Sequence, residues 1–539
     1  MEREALMRTI IENPDDDVAR LVFADWLEEN GESERAEFIR LDIHLHDVDR
    51  GDPLYHAQRR RWGQLLEQYE KAWKGQLPAL PNGLLWGNTQ RGFVDEILVG
   101  FRDHRGPAAP IPQAEVTLRR IYWRAPWYTP EFLVGEQVAT VREWHIEEGH
   151  RGFSDGSEYD RCVSTWIGSG NGASMIHLWL HAGNFSIETV QTMADASWPC
   201  LRTFRWWNEW NVTNGFCHPL YTANWLNQLT HLEWKGGRFS EEDLNILCRH
   251  LNRERLRHLA FRHCSLTDQD ADVLASSGLL AGLNTLDLTW NQIGPKGVKR
   301  ILRELPERAR VIFDQNPIGD EGFIALADSP LLARLSELRI ERMGVTGDSL
   351  SVLSQSPSAA NLTALEFAAQ GIDSDGADAL FRSPFLTQLE SLDLSANRIT
   401  SLPPLRFPRM EVLNLGGNPL TAQAVETLCT MAEMPVLTQL HLDGVSTASL
   451  GITALMSNTV FPTLRWLTVS HCGIDDAILE SWFDSPRLRS LEWIQFQSQE
   501  KPISPELFDA FARNAEKYGC VVDRNHPREV PNTGADHGT

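Results

Sequence analysis

The feature that most constrains this chain is a short apolar motif that returns along its last two thirds. Three clear copies read Leu286-Asp287-Leu288-Thr289-Trp290-Asn291-Gln292-Ile293, Leu392-Asp393-Leu394-Ser395-Ala396-Asn397-Arg398-Ile399 and Leu413-Asn414-Leu415-Gly416-Gly417-Asn418-Pro419-Leu420. Let n be the Asn-type position. Apolar residues then recur at n-8, n-5, n-3 and n+2, with n at 183, 209, 237, 264, 291, 316, 343, 370, 397, 418, 445, 472 and 496. Most steps are about 27 residues. Alternate residues of an extended segment share a face, so each LxL core reads as a strand with one buried side. A second periodicity lies at n+7 and n+10: Leu244 and Leu247, Ala271 and Leu274, Val298 and Ile301, Phe323 and Leu326, Leu350 and Leu353, Ala377 and Leu380, Val425 and Leu428, Ile452 and Leu455. A spacing of three places each pair on one helix face. One strand and one helix per copy cannot bury their apolar faces alone, so the copies must stack on each other.

These motifs resemble the leucine-rich repeat, in the long class similar to the ribonuclease-inhibitor type. The expected fold class is α/β: a leucine-rich repeat solenoid of about 13 copies over residues 175–500. The resemblance implies a horseshoe with parallel strands on the concave side and helices on the convex side. The Asn amide at n bonds backbone groups in the turn after the strand; Asn291, Asn316, Asn397 and Asn418 suit this, and Cys264 and Cys472 replace it with a buried thiol. The copy at 397 carries Pro403 and Pro404 where its helix belongs, which predicts an extended segment and a local change in curvature. A C-terminal cap is expected over 501–526, with a helix from Pro505 to Lys517 carrying Leu507, Phe508 and Phe511, and a last strand at Cys520, Val521 and Val522. Residues 527–539 read as a disordered tail.

The first 75 residues have no such motif and read as four helices. Met1 to Glu12 ends at Asn13-Pro14, Asp15 to Asp17 lead into a second helix that stops at Asn30-Gly31, Ser33 starts a third, and Pro53 to Lys74 forms a fourth. The segment Ala5-Leu6-Met7, Asn13-Pro14-Asp15-Asp16-Asp17, Arg20-Leu21-Val22-Phe23-Ala24-Asp25-Trp26-Leu27-Glu28-Glu29 and Glu37-Phe38-Ile39-Arg40-Leu41 resembles the bacterial repeat-companion domain. The match covers about residues 1–45 and extends weakly to Gly92-Phe93-Val94-Asp95-Glu96. The resemblance implies a small module attached to repeat proteins, without enzymatic activity, cofactor or ligand. Residues 76–174 are an irregular capping region rich in Trp, Pro and Gly, with degenerate repeats at Leu118-Ile121-Trp123 and Val141-Trp144-Ile146. Gly149 to Gly172 reads as a loop or insertion.

Charge narrows the function. The chain has 539 residues and a formal net charge of -23, which opposes nucleic acid and anionic membranes as partners. No apolar run approaches the ~18 residues of a membrane helix, and the N-terminus lacks a signal-peptide pattern. None of the eight cysteines lies in a CxxC pair, so reduced structural thiols and a cytoplasmic location are expected.

The chemistry-bearing clusters have bland readings. Asp15, Asp16, Asp17, Asp25, Glu28 and Glu29 read as helix capping and a solvated face. Gly168-Ser169-Gly170-Asn171-Gly172 lacks the Lys-Ser/Thr of a phosphate loop and reads as a turn. No nucleophile elbow or zinc helix motif occurs, and no cofactor, metal site or catalytic residue is expected.

The exposed strand positions n-6, n-4, n-2 and n-1 are more informative. Early repeats place His177, Trp179, His181, Arg205, Trp207, His231, Lys235, His258, Arg262, His263 and Trp290 there, beside Asn208 and Glu233. Later repeats place Asp287, Asp314, Glu341, Glu366, Asp393 and Asp443 there, with small residues such as Ala368, Ser395 and Gly416. Trp and Arg dominate interface energetics, and Arg pairs bidentately with carboxylates. One reading is a non-catalytic scaffold whose early concave face binds a protein partner with an acidic or mixed segment. The competing local reading is that these Trp residues pack on each other as an end cap. The five His residues form a weaker metal candidate, with His231 and His258 on adjacent strands. A second functional class is an enzyme with a site between 76–174 and the first repeats, marked by a cleft near Trp144, Arg151 and Trp179, or a regulator of a nucleotide hydrolase. A third is a structural paralogue without a dedicated partner.

Overall fold

The computed structural model describes residues 2–12, 16–47, 55–77, 80, 84–99, 118–125, 138–139, 141–148, 156–181, 185–208, 217–340, 343–445, 449–457, 460–495 and 503–523. It comprises two compact units, Met1–Cys264 and Ser265–Thr539.

The first unit opens with helices α1 (Glu2–Glu12), α2 (Asp17–Glu29), α3 (Ser33–Asp47) and α4 (Tyr55–Gly75). Asp16 caps α2 by accepting a bond from the Val18 amide, and Asp25 and Glu28 both pair with Arg40 at 2.6 Å. These acids therefore do structural work; Asp15 lies outside the described residues. Strands β2 (Thr89–Gln90) and β3 (Phe93–Val94) form a hairpin whose turn residues Arg91 and Gly92 hold φ of 51° and 82°, as a two-residue hairpin turn requires. Gly92 also lies against α3: a Cβ there would come within 2.5 Å of Ile39. Phe93 shares one apolar core with Met7, Ile10, Phe23, Leu27 and Ile39. The helices and the hairpin thus pack together.

Strand β1 (Leu84–Trp86) runs antiparallel to β4 (Glu96–Val99). From there β4, β5 (Arg120–Ala125), β6 (Glu143–Glu148), β7 (His177–His181), β8 (Thr203–Trp207), β9 (His231–Lys235) and β10 (His258–Arg262) are parallel neighbours. Their register aligns Ile97, Ile121, Trp144, Leu178, Phe204, Leu232 and Leu259 in one row, all buried. Residues before 174 therefore supply strands in step with the repeats. The reading of Gly149–Gly172 as a loop is corrected: Gly156–Gly168 is a helix, α5. Its Cys162, Val163 and Trp166 are buried, and Trp166 packs on Trp144 with centroids 4.7 Å apart. That burial outweighs the weak helix propensity of its terminal glycines. The following turn contains Gly170 at φ 78°.

In the second unit β11 (Thr285–Asp287) pairs in parallel with β12 (Arg310–Ile312). Strands β13 (Glu337–Arg339), β14 (Ala364–Glu366), β15 (Ser391–Asp393), β16 (Val412–Asn414), β17 (Gln439–His441), β18 (Trp466–Thr468), β19 (Trp493–Gln495) and β20 (Val521–Asp523) form an eight-stranded parallel sheet. The helix pairs at n+7 and n+10 are all buried. Residues 401–405 form no helix, as Pro403 and Pro404 dictate. Helix Pro505–Glu516 buries Phe508 and Phe511 at the C-terminal end.

The Asn positions behave as hydrogen-bonding hubs. Asn316 accepts from the Ile293 amide at 3.0 Å and donates to the Leu288 and Phe313 carbonyls at 2.8 and 3.0 Å. Asn397 and Asn418 repeat the pattern. Cys264 points its thiol at the Trp234 carbonyl (3.4 Å) and Cys472 at the Leu442 carbonyl (3.0 Å). One register is corrected. Trp493 pairs with Trp466 and Ile494 with Leu467, so the last Asn-type position falls at 499 rather than 496. Leu488, Leu491 and Ile494 are all buried; spaced by three, they offer an apolar n-8 and n-5 pair in either register.

Candidate functional site

Strands β5 to β10 alternate strictly between core and face. Inward go Trp123, Trp144, Trp206 and Trp234, all buried. Trp144, expected beside a cleft, lies wholly in the core with no exposed surface, and Arg151 lies outside the described residues. The other side carries three cross-strand rows.

The central row is one connected chain. Tyr122 stacks on His145 with centroids 5.8 Å apart, and His145 meets Trp179 at 3.9 Å with the planes tilted by 48°. Arg205 caps the Trp179 ring with its guanidinium carbon 4.0 Å from the centroid. Its Nε also lies 3.3 Å from its register partner Glu233, and Arg262, from the next row and two residues past Glu233's partner Ala260, reaches the same carboxylate diagonally at 2.9 Å. Each contact joins adjacent strands, so the row is a direct product of repeat length. The second row holds His181 edge-on to Trp207 at 5.9 Å, with Lys235 over the Trp207 ring at 4.3 Å. Trp207 Nε1 donates to Glu233 at 3.3 Å, which ties this row to the central one. Tyr122 donates a hydrogen bond to Glu147, and His181 Nδ1 lies 3.8 Å from the same residue.

The third row contains His177, His231 and His258. His231 and His258 stack face to face, with centroids 4.1 Å apart and planes 7° from parallel. Burial, then the neighbouring His258, His177 and Arg205, lowers the His231 pKa to about 4. Burial also lowers those of His177 and His258. Three neutral imidazoles therefore line this row near neutral pH. Among the described residues no three His, Cys, Asp or Glu side chains are grouped to hold a metal ion.

Nine predicted residues thus share one face: His177, Trp179, His181, Arg205, Trp207, His231, Lys235, His258 and Arg262. His263 follows β10 in the turn at n-1, exposed, with φ 55°. Trp290 belongs to the second unit, 45% exposed, at the equivalent turn position with φ 60°. Asn208 is buried and offers no contact surface. Sequence reasoning missed Tyr122, His145 and Glu147. Their signal was the alternation around Ile121-Tyr122-Trp123 and Trp144-His145-Ile146. Glu233 is shared by Arg205 and Arg262, and Asp95 pairs with Arg120 at 2.6 Å, so the face is mixed in charge.

Family models for leucine-rich repeats match residues 283–302 and, as two copies, 387–427. Those segments are leucine-rich repeats, and the fold is a leucine-rich repeat solenoid. No curated protein matches the chain. Similar solved structures include an internalin from Listeria monocytogenes, at 14% identity and TM-score 0.35, covering 64% of this chain and 86% of that one. A chain of the Rad7–Elc1 complex in yeast matches at 12% identity and TM-score 0.33, covering 89% and 92%. A TLR13–ssRNA13 complex matches at 13% identity and TM-score 0.38, covering 79% and 78%. No helix among the described residues of this leucine-rich repeat chain is long and apolar enough to cross a membrane.

Proposed function

We propose that this leucine-rich repeat protein is a non-catalytic interaction scaffold of the cytoplasm, and that the strand face of β5 to β10 binds a protein segment of mixed charge. The carrying observation is the connected row Tyr122–His145–Trp179–Arg205–Glu233–Arg262. It offers large, half-buried aromatic and guanidinium surfaces already held in place, so a partner orders few side chains on binding. Internal pairing also accounts for the ionisable groups of the row structurally, which favours binding over acid–base chemistry. The structure assigns the aromatic side chains two roles: inward tryptophans pack the core, and Trp179 and Trp207 are each covered by a cation from the next strand. A partner that displaces or shares those cations gains the aromatic faces.

The test is affinity capture with the wild type and with a variant carrying Trp179→Ala, Arg205→Ala and Trp207→Ala. A partner held only by the wild type supports the reading. A partner held equally by both sinks it.

A further inference from the structure

The strand face of the second unit carries a different set of groups. Trp466 and Trp493 are register partners on β18 and β19. Leu467 and Ile494 beside them are buried, so the two indoles lie on the opposite, solvent side of the sheet. They are half-buried and meet edge to face, with centroids 5.3 Å apart. Two residues further along the same face, about 6.7 Å away by strand rise, come their register partners Thr468 and Gln495. Gln495 is only 9% exposed. Its backbone carbonyl accepts from Val469, but no group bonds its side-chain amide among the described residues. The amide is therefore available to a ligand's backbone.

Carboxylates lie along the same face, Asp443 beside Thr468 and Asp393 three strands away on β15. Thr468 donates to Asp443 through its hydroxyl, and the Ser470 amide donates to the other oxygen at 2.8 Å. Asp393 receives the Ser395 amide at 2.8 Å and the Asn414 amide at 2.9 Å. Neutral donors therefore fix both carboxylates, and among the described residues no Lys or Arg pairs with either.

The contrast with the first unit identifies what is missing. There, Trp179 and Trp207 each carry a cation from the neighbouring strand, and Glu233 holds two arginines. On the face of β16 to β19 the same classes of acceptor, the indole pair and the Asp443 carboxylate, carry no cation among the described residues, whereas Arg339 pairs with Glu366 on β13 and β14. We propose that the face of β16 to β19 docks an extended protein segment bearing Lys or Arg. The cation lies against the Trp466–Trp493 pair and Asp443, and the segment's backbone bonds the Gln495 amide. Such a group gains cation–π attraction and a charge-assisted hydrogen bond together. This surface is separate from the one under Proposed function, and either can fail alone.

Fluorescence anisotropy with a labelled alternating serine–arginine peptide tests the proposal, with the citrulline counterpart as a neutral control of the same shape. The full chain is expected to bind the arginine peptide and to bind the citrulline peptide at least about tenfold more weakly. Asp443→Asn, and separately Trp466→Ala with Trp493→Ala, should each weaken arginine-peptide binding about tenfold. Gln495→Ala should weaken it less, and Trp179→Ala should leave it unchanged. The chain's net charge of -23 attracts any cationic peptide, and attraction of that kind survives all of these substitutions. Equal binding by wild type and variants, equal binding of both peptides, or no binding by wild type overturns the proposal. If the double tryptophan variant fails to fold, Asp443→Asn and the citrulline comparison decide it.

Discussion

Arg205 lies over the Trp179 ring, its guanidinium carbon 4.0 Å from the centroid, although the two residues are 26 positions apart in the chain. That spacing is one repeat, so a residue on one strand of the face meets its counterpart one turn of the solenoid later. The same register step joins Arg205 to Glu233, and Arg262 reaches Glu233 diagonally from two residues past its register partner Ala260.

Glu233 is the shared anion of this row, and its loss is predicted to cost more than the loss of either arginine. Glu233→Gln leaves two guanidiniums facing each other and should lower stability by about 2 kcal/mol. Arg262→Ala, on a half-exposed pair, should cost below about 1 kcal/mol. Urea denaturation of the three proteins measures this; equal losses would show that the row is not organised around Glu233.

The histidine row makes stability depend on pH. The folded-state pKa of His231 is lowered to about 4, while the unfolded chain titrates near 6.5. Between those values the unfolded state binds more protons, so stability is full above about pH 6.5 and falls as pH drops toward 4. His231 is partly solvated, so its share after screening is roughly 1 kcal/mol. His177 and His258 act in the same direction. His231→Gln should flatten the dependence of melting temperature on pH between 6.5 and 4.5; an unchanged slope would contradict the assignment.

Asp314 acts in the opposite direction. Burial, and then the nearby Asp287, raise its pKa to about 7. Its contribution is fully present below about pH 4 and is lost as pH rises through 7. Asp314→Asn is therefore expected to stabilise the protein at pH 8 by roughly 1–3 kcal/mol and by less than half of that at pH 5. Thermal melts at both values check this, and an equal effect at the two pH values would refute it.

Gly92 couples the hairpin to the helices through its positive φ and its contact with Ile39. Gly92→Ala should destabilise the N-terminal packing by roughly 1–3 kcal/mol. Limited proteolysis of the first hundred residues reads this locally; wild-type protection would mean that the contact relaxes freely.

The repeat was legible because two periodicities, strand and helix, agree with each other. The buried Asn hubs were legible because their residue type has one use in that turn. The last register was not, because Leu488, Leu491 and Ile494 are spaced by three and offer two alignments. Helix α5 was hidden because glycines bound it and its stability comes from Trp144, a residue on another element. The face residues were readable by position, but their engagement was not. Position 205 predicts a neighbour at 179, yet whether the guanidinium pairs inward or projects to solvent depends on Glu233, a third repeat away. Trp466 and Trp493 escaped notice for a related reason: the misread register turned Trp493 toward the core.

The most direct test of the central claim is capture from native lysate on immobilised full-length chain, quantified by mass spectrometry. Wild type runs beside Trp179→Ala/Arg205→Ala/Trp207→Ala, after both are shown to melt alike. The account predicts at least one protein retained by wild type and depleted about tenfold or more on the variant. Retention of the same proteins at the same levels by both would contradict it.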